Sequence, residues 1–544
     1  VNYTPAGTGA VVTTVQGQLR ESVYVENFGA VGDGVTDDTD AIQAALAAST
    51  YVNFSKGKTY YIGGGSNVAD AAVSGDLVND GVRVPSDRVL DLNGAQLISD
   101  QGGATATYTD QFRIITNDLS GATSQNITIK NGSIRNSGVS GYYTSGIWIN
   151  GGITSNAEGY VNNIRIQNID FYDVRAGVVL RDNMPNATPI ATNDVRRISN
   201  VEITNTKGFD VTSAVIAPDA DDVIINNVYC DSSGAASSYD CVSMVRGHRV
   251  SISNIISRGL INGYGVLIRN RTGANTTDVN ISNVQIFGGK GFKIGTDGFG
   301  TTEETSRINV SNLIVKDAAI LIDKSVDAMI MKDISMSNIY GSGGTTLDGL
   351  AGIGMRVYAP NSASAGIENF KVNNLTLKSA SGIAFEVRNA QGVYISNFDI
   401  SRDDTTASAV KLLGNIDLMT MTSGVIDTAD VGIDFFSASS NIKGNFRDIE
   451  INNCTTSIDT DSSESLDVVV MNNVRIDAAN NYTVTTGSYI DNLDGQGATA
   501  TIATAAITVT HKWHAVDTEG SASTDDLDTI SGGKSGQMLV LNSF

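Results

Sequence analysis

The sequence predicts an all-β fold: a right-handed parallel β-helix, a solenoid closed at its start by one short capping helix and followed by a small C-terminal β-module. Three observations predict it. One phrase of alternating apolar and polar residues recurs along most of the chain, its apolar period is two with Ile and Val dominant, and helical patterns are almost absent.

The phrase starts near residue 126 as "NITIKNGSI" followed by "GIWIN", and returns as "NIRIQNIDF" with "GVVLR", "VSISNIIS" with "GVLIR", "VNISNVQIF" with "GFKIG" and "NFKVNNLTL" with "GIAFE". Each copy holds an Asn-rich strand pair, a turn, then a small residue and a second strand. With no helical segment between strands, a βαβ sheet is excluded. Antiparallel propellers and sandwiches need regular Asn-Gly or Asp-Gly hairpins, which are scarce here. A coil that lies on the previous coil satisfies the pattern, with apolar side chains stacked inside and corner Asn amides laddered from coil to coil.

The helix in "VTDDTDAIQAAL" then has a reason to exist. An open solenoid end exposes core and unpaired strand edges, and an amphipathic helix covers both. Asp37 or Asp38 stands at its N-cap, Asp40 in its first turn, and Ile42, Ala45 and Leu46 form its apolar stripe. The residues divide into 1–25, a linker; 26–125, the cap and first coils; 126–480, the β-helix; and 481–544, a C-terminal β-rich module.

Composition removes several functions. A net charge of −22 over 544 residues, with no basic cluster of nucleic-acid scale, argues against nucleic acid and anionic membrane as partners. No run is apolar enough to cross a bilayer, and "VNYTPAGTGAVVTTVQ" has no signal-peptide character. Cys230, Cys241 and Cys454 are sparse and odd in number, so they are expected as reduced core side chains rather than a disulfide framework. No cofactor or metal is implied: phosphate-loop and dinucleotide fingerprints are missing, the aspartates lack EF-hand spacing, and His511 and His514 face opposite sides of a strand.

"YTPAGTGAVVTTVQGQLRE" followed by "VENFGAVGDGVTDDTDAIQAA" resembles the neck and first turn of phage tailspike and tail-fibre depolymerases with a pectate-lyase-like β-helix. The resemblance implies a homotrimer that recognises and cleaves a bacterial capsular or O-antigen polysaccharide, and that joins the phage tail or baseplate through an N-terminal region missing before Val1. It implies a place on the virion tail, after synthesis in the bacterial cytoplasm. The stretch "HKWHAVDTEG" onward resembles a terminal β-module, expected to be incomplete at Phe544.

Aligning second strands at their small residue puts Ile147, Val178, Val266, Ile294, Ile353, Phe385 and Ile433 inward, with Trp148, Val179, Leu267, Lys293, Gly354, Ala384 and Asp434 outward. Two residues on, the outward column is Asn150, Arg181, Pro218, Val245, Arg269, Gly295, Asp323, Arg356 and Glu386, with Asp182, Asp219, Arg246, His248, Arg271 and Asp297 just beyond. Coils stack about 4.8 Å apart, so carboxyls one or two coils apart approach the spacings of retaining or inverting glycosidases. Asp182 and Asp219 are the first catalytic pair, with Asp297, Asp323 and Glu386 in reserve. Trp148, with Tyr142, Tyr143 and Tyr264, is an expected sugar-stacking platform. Arg246, His248, Arg249, Arg269 and Arg271 form a basic group suited to an acidic sugar or to the base of a lyase, and Arg181 in the outward column is expected to bind substrate. Inter-coil salt bridges are the alternative for that group. Hydrolysis leads, elimination and binding without cleavage follow, and the acidic net charge favours a neutral or weakly charged glycan.

Overall fold

The computed structural model describes residues 1–63, 80–100, 112–117, 123–137, 144–151, 160–181, 198–218, 220–234, 240–260, 262–270, 275–296, 303–324, 330–344, 352–360, 366–379, 382–436, 441–460, 465–476, 481–483 and 490–494, with short strands between 496 and 531. The chain divides into two compact units, Val1–Val310 and Ser311–Phe544.

From Thr144 onward in the first unit each strand pairs, in parallel, with the strand two places away. Val161–Tyr172 lies between Ser124–Asn136 and Ile198–Phe209, while Ala176–Arg181 lies between Thr144–Asn150 and Ser213–Pro218. This skip-one parallel pairing is that of a β-helix. The long strand of each coil bends twice, at residues in left-handed conformation; in Val161–Tyr172 these are Asn163 and Asn168, with φ of 57° and 56°. Asn tolerates this region far better than a β-branched residue. A coil therefore carries three short sheets, the third formed by the second strand of the repeat.

The corner amides ladder as the repeat implies. Asn168 donates to Asn131 at 2.9 Å, Asn205 to Asn168 at 3.0 Å and Asn227 to Asn205 at 2.8 Å. Inside the third sheet Ile147, Val178, Val215, Val242, Val266 and Phe292 stack as one fully buried row. The small residue before each second strand makes room for a neighbouring ring: a Cβ on Gly177 would stand 2.7 Å from the Ala214 carbonyl and 2.8 Å from the Phe171 ring.

The cap is helix Thr39–Ala48, with Ile42, Ala45 and Leu46 fully buried. Asp37, not Asp38, bonds the start of the helix, accepting from the Thr39 N–H at 3.0 Å. Asp38 turns back instead and accepts from the Val31 and Gly32 N–H groups at 2.6 and 3.1 Å.

Cysteine usage departs from expectation. Cys230 and Cys241 form a disulfide, and Cys454 alone is free and buried. Cys230 is the second-to-last residue of strand Ala220–Asp231 and Cys241 immediately precedes strand Val242–Val245, with Cα atoms 5.9 Å apart, within bridging range. An odd count leaves room for one bridge, and only Cys454 keeps the expected role of a reduced core side chain.

The second unit repeats the plan. Ile330–Gly343 pairs in parallel with Ile367–Ser379, and Met355–Tyr358 with the start of Phe385–Arg402, whose own neighbour is the start of Val410–Phe435. Met355, Phe385 and Val410 form its fully buried row. Asn374 donates to Asn338 at 2.8 Å and Asn338 to Asn312 at 2.9 Å. Gln496–Thr501 pairs in parallel with Trp513–Asp517, and Ala506–Thr508 with Thr529–Ser531.

Candidate active site

The outward side of the third sheet in the second unit gathers charged side chains. Arg356 is in register with Glu386, and Glu386 with Lys411. Phe436 donates its N–H to the Leu412 carbonyl at 2.9 Å, which sets Asp434 beside Lys411. The row Arg356, Glu386, Lys411, Asp434 thus alternates in charge over four successive coils, with Lys411 and Asp434 at the two ends of the long strand Val410–Phe435.

Each carboxylate is held by a cation. Arg356 Nε donates to Glu386 Oε1 at 2.9 Å; Lys411 Nζ lies 3.4 Å from Asp434 Oδ2, which also accepts from the Ser408 hydroxyl at 2.7 Å. Glu386 is 8% exposed and Asp434 7%. Buried carboxylates of this kind are tolerated where cations and hydrogen-bond donors meet them. Aromatic rings floor the row: the Arg356 guanidinium sits 3.8 Å from the Tyr358 ring and Arg388 5.3 Å from the same ring, while Lys411 lies 3.9 Å from Phe436. Phe436 is 45% exposed, which leaves an apolar surface open beside Asp434.

Glu386 and Asp434 are two coils apart in one row, and two coil spacings are about 9.6 Å. That value lies just past the upper end of the spacing of roughly 6.5–9.5 Å found between the carboxyls of inverting glycosidases, which leaves room for a water molecule beside the sugar ring.

The sequence alignment of the coils slipped by two residues here. Asp323 is in register with Tyr358, and Tyr358 with Arg388, so Arg356 and Glu386 do not share the column of Asp323. The outward neighbours of the inward Met355 and Phe385 are Arg356 and Glu386, rather than Gly354 and Ala384. A two-residue slip keeps every side chain on its face, which is why the outward assignment of Glu386 survives. The small residues flanking each strand gave no unique anchor for the register. Asp434 stood in the outward column as a position without a role, and Lys411, Tyr358 and Arg388 were not singled out; their alternation of charge on one period-two face is the signal that points to them.

Asp182, Asp219, Asp297 and Arg271, with Tyr142 and Tyr143, lie outside the described residues, as does the side chain of Arg181. Trp148 is outward but not open. It is 4% exposed, with the buried Arg113 guanidinium 4.4 Å from its ring and Val179 and Ala176 packed around it. Cation–π stacking and apolar packing occupy the surface a sugar would need. Tyr264 is half-buried, with the Lys290 and Lys293 ammonium groups 5.9 and 5.8 Å from its ring.

Two members of the basic group of the first unit, His248 and Arg249, are paired with acidic neighbours. Arg249 grips Asp222 with two bonds of 2.6 and 2.7 Å, and His248 Nε2 lies 3.1 Å from Asp278 with Nδ1 3.8 Å from Asp221. Arg307 holds Asp278 in the same forked way at 2.7 and 2.9 Å, and this pairing, against the opposing effect of burial, pulls the Asp278 carboxyl down to about 2. Asp222, Arg249, Asp278 and Arg307 all occupy left-handed corner positions, with φ between 53° and 59°. They replace the Asn ladder with ion pairs, so His248 and Arg249 belong to a corner and do not form a free basic groove. Arg246 and Arg269, both half-buried, lie on neighbouring coils, the Arg246 N–H donating to the Arg269 carbonyl at 3.2 Å. Among the described residues no group of three His, Cys, Asp or Glu side chains is arranged to hold a metal ion, and no helix is long and apolar enough to cross a membrane.

No protein-family model matches the chain, and no curated protein matches it. Solved structures do match. A tailspike protein variant of E. coli bacteriophage HK620, in complex with a hexasaccharide, is 14% identical over 90% of this chain and 84% of its own, with a TM-score of 0.47. A second variant of that tailspike gives 14% identity, the same coverage and a TM-score of 0.48. Tailspike protein 3 of bacteriophage CBA120 is 12% identical over 92% of this chain and 67% of its own, with a TM-score of 0.41. In fold, this chain is similar to the tailspike proteins of bacteriophages.

Proposed function

We propose that the chain is the body of a phage tailspike that binds a bacterial capsular or O-antigen polysaccharide and cuts it by glycosidic hydrolysis, with Glu386 and Asp434 as the carboxyl pair. The observation that carries this reading is the placement of two nearly buried carboxylates on one outward row, two coils apart and floored by aromatic rings. In such a pair one carboxyl gives its proton to the leaving glycosidic oxygen while the other takes a proton from the water that attacks the opposite face of the ring. The separation calls for inversion at the anomeric carbon. The active form is a homotrimer on the virion tail, attached through a region N-terminal to the body.

The test is to incubate the protein with capsular and O-antigen polysaccharides from a panel of bacteria and to follow product size, anomeric configuration by NMR and ultraviolet absorbance. Short inverted oligosaccharides without new absorbance, lost in Glu386→Gln and in Asp434→Asn, support the reading. New absorbance would mean elimination by a lyase, and binding without fragments would mean an adhesin. Asp182→Asn and Asp219→Asn, run alongside, test the pair outside the described residues; loss of cleavage there with full activity in Glu386→Gln would move the site.

A further inference from the structure

We infer that the glycan cut at this site carries a carboxylate, as a hexuronate or a nine-carbon acidic sugar does, and that Arg388 receives it. The inference rests on the proposed function and narrows its substrate. Arg388 follows Glu386 by two residues on the strand Phe385–Arg402, so both point outward from the same face, roughly 6.6–6.8 Å apart along the strand.

The cations on this outward face differ in how they are matched. Arg356 is paired with Glu386 and Lys411 with Asp434. Arg388 makes no ion pair and no side-chain hydrogen bond among the described residues; its contact is the Tyr358 ring, and its row neighbours are Tyr358 and Leu413, neither of them charged. A guanidinium offers five N–H donors in a planar fork whose natural partner is a carboxylate. Half-buried and unmatched beside two sealed carboxylates, it is a preset place for an anion that arrives with the substrate. In a chain of net charge −22 the long-range field opposes such a ligand, so recognition must be local, which is what one aimed arginine supplies. This replaces the neutral-glycan expectation drawn from net charge.

The experiment uses the full chain and bacterial capsular polysaccharides whose repeat contains a hexuronate or a nine-carbon acidic sugar. Each is supplied native and after carbodiimide activation and borohydride reduction, which turns the carboxylate into a primary alcohol. Cleavage is read as released reducing ends, and binding by calorimetry on the Glu386→Gln variant with and without Arg388→Gln. The expected result is a loss of roughly tenfold to a hundredfold in kcat/KM on carboxyl reduction, the same loss in Arg388→Gln on native glycan, and no further loss when the two are combined. Arg388→Lys recovers part of it. Equal cleavage of native glycan by Arg388→Gln, cleavage confined to neutral polysaccharides, or neither binding nor cleavage of any acidic glycan would overturn the assignment. Fragments that vanish in Glu386→Gln but persist in Arg388→Gln remove this assignment alone. Arg388-dependent binding of acidic glycan with no fragments keeps it and removes the hydrolytic reading. An unchanged circular dichroism melt for Arg388→Gln separates either result from misfolding.

Discussion

The third sheet has the same inward side in both units and opposite outward sides. Inward, Ile147, Val178 and Val215 in the first unit match Met355, Phe385 and Val410 in the second: fully buried, apolar and interchangeable in kind. Outward, the first unit has Trp148, Val179 and Ile216, covered and apolar, where the second has Arg356, Glu386, Lys411 and Asp434. Stacking dictates the inner side because each side chain fills space against the coils above and below. Nothing in the coil dictates the outer side, so that is where chemistry is free to differ from unit to unit.

The largest expected effect tests the charged face. Glu386→Gln keeps the size and outward position of the side chain and should lower cleavage by about two to four orders of magnitude, with the melting curve little changed. Trp148→Ala should do the reverse, costing about 3–5 kcal/mol in urea unfolding while each folded molecule retains its cleavage rate. A stable Trp148→Ala that cleaves slowly would break the comparison, since it would put chemistry on the covered face.

A smaller loss, about 1–3 kcal/mol, is expected for Asn205→Ala, which removes two ladder bonds and puts a Cβ-bearing residue with no compensating amide at φ 54°. Asn205→Gly should recover the backbone share of that loss and not the rest. Smaller still is an acid limb. The folded-state carboxyl of Asp278 lies near 2, below its ordinary 3.8, so its contribution is present above about pH 4 and fades as pH falls toward 2. Arg307→Gln should flatten that stretch of the stability curve, by little, because the pair is partly exposed and screened. Least in energy but sharp in readout is the thiol count. Denatured without reductant, the chain should offer Cys454 alone to alkylation, and with reductant all three cysteines. In the folded protein burial raises the Cys454 thiol to about 11, so it should resist reagents that attack thiolates.

The coil itself was legible because its causes are local. Period-two apolar runs, β-branched content and a corner Asn that accepts left-handed backbone are all written in adjacent residues. So was the helix over the core, from the stripe Ile42, Ala45 and Leu46. The site was legible only in outline. Glu386 was placed on the outward face, but its partner Asp434, 48 residues on in sequence, meets it only through the stacking of intervening coils. Trp148 shows the same limit from the other side: direction follows from strand alternation, while exposure depends on what packs over it, here Arg113 from the preceding coil. The Cys230–Cys241 bridge depends on two strand ends of one coil lying side by side, which spacing does not encode.

The ion-paired corner of the first unit has a consequence for assembly order. A ladder of identical Asn residues accepts any coil on any other, so a chain of similar repeats is free to dock one place out of step and bury nearly as much. Along Asp222, Arg249, Asp278 and Arg307 that freedom is gone. A coil displaced by one place would set Asp222 against Asp278 and Arg249 against Arg307, like charge on like. The four residues act as an address, marking which coil follows which in the first unit, whose core rows carry no such information.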